Sequence, residues 1–265
     1  MGVRRKSIGL IYTGGGSKGA VQVGMTQALL EHGITPSLIA GSSVGALNAT
    51  ITAFYPTLKG NEKLVQIWQG IQEENIFPNS KINIIQGLVN NEYLFENKGV
   101  KKMIGNIPSN KFTDTRVPLF INTTVLATGN SHIHKTGSLK DILLATTAIP
   151  GIFPPIELDG ELHVDGGISM MAPLYFPEAD KLDLIYILDA SGEHLKGKNK
   201  RALDMLRKGF AHSIAAQVKI AARDRRVRVI SVDNQIYDVD NRDFSNTAKY
   251  IQAGHERALE VLSGG

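Results

Sequence analysis

Residues 8–19, Ile8-Gly9-Leu10-Ile11-Tyr12-Thr13-Gly14-Gly15-Gly16-Ser17-Lys18-Gly19, and residues 38–45, Leu38-Ile39-Ala40-Gly41-Ser42-Ser43-Val44-Gly45, each carry an apolar run into a glycine-rich turn. Each turn is followed by residues with helical spacing: Val21, Met25, Ala28 and Leu29 after the first, and 44–54 after the second. A strand–helix–strand–helix start predicts a mostly parallel sheet with helices packed against it, an α/β fold. Gly33 is the expected stop of the first helix.

The second turn, Gly41-x-Ser43-x-Gly45, has the spacing of a nucleophile elbow, in which a sharp strand-to-helix turn exposes a serine hydroxyl. A serine hydroxyl must be positioned and deprotonated before it attacks, and a helix N-terminus beside it favours the anion that forms. The alternative is a helix-capping serine in a tight turn. The first turn, Gly14-x-Gly16-x-x-Gly19, also fits the dinucleotide fingerprint. That reading needs an acidic residue at the end of the second strand to hold the ribose, and this strand ends in Gly41-Ser42-Ser43. A Walker loop fails because Lys18 is followed by Gly19. A row of backbone N–H groups at a helix start remains, which is an anion site, and an oxyanion hole is one such site.

Composition bounds the class. Among 265 residues, 42% are hydrophobic and 20% charged, enough for a sizeable core in one domain spanning 1–265. The absence of cysteine excludes disulfides and thiolate metal sites. No run approaches the roughly 18 apolar residues of a membrane span, and Ile8–Tyr12 is too short for a signal peptide. Met1-Gly2 is not followed by the Ser or Thr of a myristoylation signal, because Lys6 stands there. The chain therefore reads as cytoplasmic. The net charge is +4, with basic clusters at Lys196-Lys198-Lys200-Arg201 and Arg223-Arg225-Arg226-Arg228. These read as a solvated loop and a helix end, with contact to an anionic membrane surface as the functional alternative. No aromatic residues interleave them, so no nucleic-acid partner is expected.

Beyond residue 54 the rhythm changes. Pro56, Pro78 and Pro108 and the Asn-rich stretches 75–83 and 90–97 mark 55–115 as an insertion that would serve as a cap or lid, with helices around Lys63–Gln72 and Lys98–Ile104. Strands are expected at Val117–Leu126, at Pro155–Leu158 and Glu161–Val164 around an Asp159-Gly160 hairpin turn, at Leu184–Leu188 in a central place, and at Val227–Val232. Ser138 and Asp141 resemble a capping box for a helix running to Thr147. Leu203, Leu206, Phe210, Ile214 and Val218 trace one face of a long helix, and 246–262 form a closing one.

A nucleophilic serine needs a base. His194, His212 and His255 are eligible by chain order for a Ser–acid–His triad, but none sits in a conspicuous turn after a strand. His132 and His134 alternate as one face of a strand would. Asp165-Gly166-Gly167, by contrast, closes a strand in a turn that needs glycine, where α/β folds place their chemistry. Its plain reading is an ordinary turn.

Four ordered blocks now resemble the patatin-like phospholipase family, bacterial esterases related to plant patatin and neuropathy target esterase. They are Gly14–Gly19, Gly41–Gly45 with Ala46, the segment Ala148-Ile149-Pro150-Gly151-Ile152-Phe153-Pro154-Pro155, and Asp165-Gly166-Gly167. The resemblance implies a three-layer α/β/α fold and a Ser–Asp dyad without histidine, metal or cofactor. Ser43 would be the nucleophile and Asp165 its base. Gly14, Gly15, Gly16, Ser17, Lys18 and Gly19 would form the oxyanion hole, Gly15 and Gly16 foremost, and Gly41 and Gly45 would shape the elbow. The implied reaction is hydrolysis of lipid or phospholipid esters through an acyl-enzyme, with peripheral contact at the inner membrane surface.

The chain departs from the family pattern at three places. Thr13 stands where the glycine block usually begins with Asp, Lys18 replaces the commoner Arg, and Met170 and Met171 occupy places where Asn is typical. Two other readings stay open: an NAD(P)-binding Rossmann-type protein, and a catalytically impaired family member that serves as an interaction module.

Overall fold

The computed structural model describes residues 6–71, 76, 93–191, 202–232 and 244–264. Strand β1 (Ile8–Tyr12) leads through a 3-10 turn at Gly16–Gly19 into helix α1 (Ala20–Glu31), and β2 (Leu38–Ser42) leads directly into α2 (Val44–Phe54). The remaining strands are β3 (Leu119–Val125), β4 (Ser131–His134), β5 (Ile156–Leu158), β6 (Glu161–Asp165), β7 (Leu184–Asp189) and β8 (Val227–Ser231). The remaining helices among the described residues include α3 (Leu58–Gln69), α4 (Lys98–Gly105), α5 (Leu139–Thr146), α6 (Ala202–Ala221) and α7 (Thr247–Ser263).

Strands β3, β2, β1, β7 and β8 lie side by side and parallel, while β4 and β6 run antiparallel to β3. Successive pairing runs β5–β6–β3–β2–β1–β7–β8, with β4 also on β3. Alternation along the strands sorts their side chains to two faces, as the period of two requires. Leu10, Tyr12, Ile39, Ile121 and Leu188 face one apolar layer with α1, α2, α3, α5 and α7. Ile11, Leu38, Ala40, Phe120 and Ile187 face the other, with Val218 and Ala221 of α6 and the segment 172–182. The architecture is thus the expected three-layer α/β/α arrangement around a mostly parallel sheet. Among the described residues no helix is long and apolar enough to cross a membrane.

Three local expectations need correction. Strand β7 is not central among the described strands: it lies between β1 and β8, and β8 ends their order. Its continuous apolar run reflects helices over both faces rather than a middle position. Helix α3 begins at Leu58, earlier than Lys63, because the Thr57 hydroxyl accepts from the Gly60 amide and caps it there. Ser138 makes no side-chain cap for α5. Asn110 caps that helix from another segment, its backbone and side-chain oxygens accepting from the Leu139 and Lys140 amides at 3.1 and 2.7 Å. Within 55–115, Leu64, Trp68, Val100, Ile104 and Phe112 are buried in the same layer as α1 and α2. Residues 72–75 and 77–92, with most of the Asn-rich expectation, lie outside the described residues, as do 192–201 with His194 and the first basic cluster.

Helices α1 and α7 touch backbone to backbone. A β-carbon on Gly24 would run into the Ile251 carbonyl, and one on Gly254 into the Val21 carbonyl. Gly24→Ala must therefore separate the two helices, although alanine is the better helix former. The expected result is a loss of about 1–3 kcal/mol, read as a lower urea midpoint at unchanged slope. An unchanged midpoint would contradict this packing.

Candidate active site

The register of β3 brings the two motifs together. Residues 121–124 of β3 pair with β4, so one edge is occupied over that span. Strand β2 pairs with 119–122, ending with Ser42 opposite Asn122. Strand β6 pairs with 123–125, ending with Asp165 opposite Thr123. Because β4 fills the other edge at Ile121–Thr124, β2 and β6 must share one edge, end to end. One is parallel and the other antiparallel to β3, so their C-terminal ends point at each other. Ser43 and Asp165, separated widely in sequence, are the residues at that meeting point.

Ser43 Oγ donates to Asp165 Oδ2 at 2.7 Å. Ser43 precedes α2 with φ 54 and ψ −137, one of two non-glycine residues of positive φ among those described. A serine held there is strained, and such strain persists only where the surroundings enforce it. The surroundings do so here. A side chain on Gly45 would strike the carbonyls of Tyr12 and Thr13, and one on Gly41 would strike the Ala46 backbone. The Ser43 amide is held by Thr146 Oγ1 at 2.9 Å.

Asp165 is wholly buried. Its Oδ1 accepts from the Gly167 amide at 2.8 Å, and its own amide donates to the Ala148 carbonyl at 2.9 Å, which docks the 148–155 segment on the strand end. Burial pushes its carboxyl up to about 6, and the hydrogen bonds from Ser43 and Gly167 oppose the rise without cancelling it.

The glycine block lies against this pair. A β-carbon on Gly14 would run into the Ser43 side chain, and one on Gly15 into the Ala190 carbonyl. The Gly14 amide points at the Met171 thioether sulfur, 2.7 Å away. Gly15 caps the 3-10 turn and Gly16 opens it with φ 62. Amides in the first turn of a helix have no intrahelical acceptor and are left for another partner. Ser17 and Lys18 are buried behind them.

The loop after Asp165 is held by residues that motif reading missed. Asn122 donates its amide to the carbonyls of Gly166 and Met170, both at 2.8 Å, and Ser42 Oγ adds a bond to the Met170 carbonyl at 2.9 Å. Gln217 of α6 accepts from the Met171 amide at 2.7 Å and donates to the Gly167 carbonyl at 3.3 Å. Amides reaching in from β3 and α6 thus support the loop that carries Met170 and Met171. Neither Asn122, which stands beside Thr123 and Thr124 in β3, nor Gln217 carries a motif signal in the sequence, and Ser42 lies in the elbow motif with no role of its own assigned there.

The histidines lie elsewhere. His212 is exposed on α6, and His255 Nε2 pairs with Glu31 at 2.7 Å between α7 and α1. His134 and His163 both bond to the Thr123 hydroxyl, at 2.7 and 2.8 Å, with His132 stacked on His134. Burial holds His134 down to about 3 and also lowers His163, which favours the neutral imidazole at both. Among the described residues, no group of three or more His, Cys, Asp or Glu is placed to share a metal ion. Arg226 is tied to Asp224 and to the carbonyls of Ala179 and Asp180, which makes it a structural cation.

A shallow apolar slot, open to solvent, lies between α2, α3 and α4. Val44, Leu47 and Ile51 form one wall, and Leu64, Ile67 and Met103 face them. It begins at the residue after Ser43.

The family model for patatin-like phospholipases matches residues 10–176. Lysophospholipase NTE1 of Debaryomyces hansenii is 31% identical over 169 residues, covering 61% of this chain and 10% of that protein. Its counterpart in Phaeosphaeria nodorum is 26% identical over 192 residues, covering 69% and 12%. The chain spans about a tenth of the length of these curated relatives. Among solved structures, VipD from Legionella pneumophila superposes with a TM-score of 0.54 at 15% identity, over 98% of this chain and 67% of that one, a likeness of fold.

The raised carboxyl of Asp165 has a measurable cost. In the folded chain it keeps its proton up to about pH 6, against an ordinary 3.8. Its contribution to stability is therefore intact below about pH 4 and lost as pH rises through about 6, by about 3 kcal/mol in all. Asp165→Asn cannot ionise. Between pH 4 and pH 7 its urea-unfolding free energy should improve on the wild type's by about that amount. A pH-independent difference would contradict the buried carboxylate.

Proposed function

Because the chain belongs to the patatin-like phospholipase family, we propose that it is a serine acyl hydrolase that cleaves lipid or phospholipid carboxylic esters. The observation that carries this reading is the 2.7 Å hydrogen bond from Ser43 to a buried Asp165 of raised pKa, made at a strained elbow. Ser43 Oγ attacks the ester carbonyl while its proton passes to Asp165 Oδ2. The carbonyl electrons move onto oxygen, and the amides of Gly15 and Gly16 hold that oxyanion. Collapse of the tetrahedral intermediate expels the alcohol, which takes the proton back from Asp165. Water then attacks the acyl-enzyme with the same carboxylate as base, releasing the acid and restoring Ser43.

A carboxylate is a weak base toward serine, and two features narrow the gap. Burial raises the basicity of Asp165, and preorganised amides stabilise charge as it develops. The Gly14 amide is occupied by Met171, so the oxyanion falls to its neighbours. Support for the loop from Asn122 and Gln217 favours an active enzyme over an impaired one. The lipid substrate implies peripheral contact with a membrane, and we place the protein in the cytoplasm at the inner membrane surface.

The acyl chain lies in the slot along α2. From Val44 to Ile51 the helix advances about 10 Å at about 1.5 Å per residue. An extended chain gains about 1.25 Å per carbon from bonds of about 1.5 Å, so the stretch of α2 from Val44 to Ile51 matches the length of about eight carbons. Aryl esters from acetate to palmitate should show the highest kcat/KM near octanoate, and Ser43→Ala should remove the activity. Ile51→Trp, which fills the far end, should move the optimum to acyl chains about half as long and lower octanoate hydrolysis at least about tenfold. Absence of hydrolysis by the wild type would refute the enzyme, and an unmoved optimum would refute the slot.

A further inference from the structure

The glycine block is gripped at both ends by two buried amide side chains that also grip each other. Gln22, near the start of α1, donates from Nε2 to the carbonyl of Thr13 at 2.7 Å and to that of Leu188 at 2.9 Å. Asn48, on α2 five residues beyond Ser43, donates from Nδ2 to the carbonyl of Gly19 at 2.9 Å and to Gln22 Oε1 at 2.8 Å. Its Oδ1 accepts from the indole of Trp68 at 2.7 Å. Thr13 immediately precedes the block Gly14–Gly19, and Gly19 closes it. Gln22 is fully buried, and Asn48 and Trp68 are nearly so.

The orientation of both amides follows from their partners. An indole N–H only donates and a peptide carbonyl only accepts, so Asn48 must face Trp68 with its oxygen and Gly19 with its nitrogen. Gln22 lies between two carbonyls and must face both with its nitrogen. Both N–H groups of each amide are then used and each oxygen is occupied. A buried polar network is stabilising when it is complete and costly when it is not.

We propose that Gln22 and Asn48 form a clasp that sets the distance between the oxyanion amides and Ser43, and that both are positioning residues for the reaction. Asn48 rides on the helix that Ser43 opens, so its grip on Gly19 ties the end of the glycine block to the elbow. Gln22 ties the start of the block to the end of β7 through the Leu188 carbonyl. Thr13 reinforces that anchor: its hydroxyl donates to Asp189 Oδ1 at 3.1 Å and accepts from the Ala190 amide at 2.9 Å. Neither amide touches the reacting atoms. The clasp acts on charge that exists only in the transition state, so its loss is read in kcat and not in KM.

The inference rests on the hydrolase reading, and the experiment separates the two. Gln22→Met keeps volume and removes one jaw, while Asn48→Ala removes the other, so either variant that folds suffices. Asn48 and Trp68 also line the slot, so turnover is measured with an aryl acetate, whose acyl group is too short to reach Asn48 about 6 Å along α2 from Val44. It is expressed per active site, with sites counted by the acylation burst. Loosely placed amides should lower kcat per site by about 10- to 100-fold, with KM within about twofold. Hydrogen exchange at residues 13–19 should quicken while that of β1 stays slow. Variants that merely fold less well would show fewer sites of unchanged kcat, and that result would overturn the clasp. If the wild type gives neither burst nor turnover, the hydrolase reading falls and the clasp falls with it.

Discussion

One edge of β3 carries two strands, and the candidate site depends on that constraint. The parallel strand β2 occupies Leu119–Asn122 and the antiparallel strand β6 occupies Thr123–Val125. Two strands that meet end to end on one edge with opposed directions must bring their C-termini together. A slip of one residue in either register would turn Ser42 or Asp165 to the opposite face of the sheet. The 2.7 Å contact between Ser43 and Asp165 is therefore a property of strand pairing before it is one of side chains. Both apolar layers, the close crossing of α1 with α7 and the docking of 148–155 hold that sheet in place.

The site stores unfavourable features together. A serine at positive φ, a wholly buried acid and a block of glycines each lower stability taken singly. Their surroundings compensate locally. Asn122, Thr146 and Gln217 satisfy the backbone around the elbow and the loop after Asp165, and Gln22 with Asn48 satisfies the ends of the glycine block. Each of these five side chains holds main chain by at least one hydrogen bond. This division of labour lets the proposed reacting pair remain poorly solvated and strained.

The parts that were legible in the sequence are those encoded locally. Apolar runs ending in glycine identified β1 and β2, helical spacing identified α1 and α2, and an acid followed by two glycines picked out the end of β6. Long-range placement was harder to read. An apolar run reports that both faces of a strand are covered, so the place of β7 beside β8 was hidden. Ser138 looked like a helix cap, yet Asn110 from a distant segment does that work, since any nearby oxygen satisfies the same amides. Gln22, Asn48, Thr146 and Gln217 are ordinary residues within helices, and their roles emerge only once the folded chain brings carbonyls and amides to them. The end-to-end meeting of β2 and β6 depends on register, which no local pattern encodes.

The central claim is that Ser43 is the nucleophile and the buried carboxylate of Asp165 its base. The most direct measurement is the rate of covalent labelling by an alkyl fluorophosphonate as a function of pH, with the modified peptide mapped by mass spectrometry. The label should sit on Ser43, and the rate should rise with pH through about 6, where Asp165 loses its proton. Labelling of another residue, or a Ser43 rate that is flat through that range, would contradict the account.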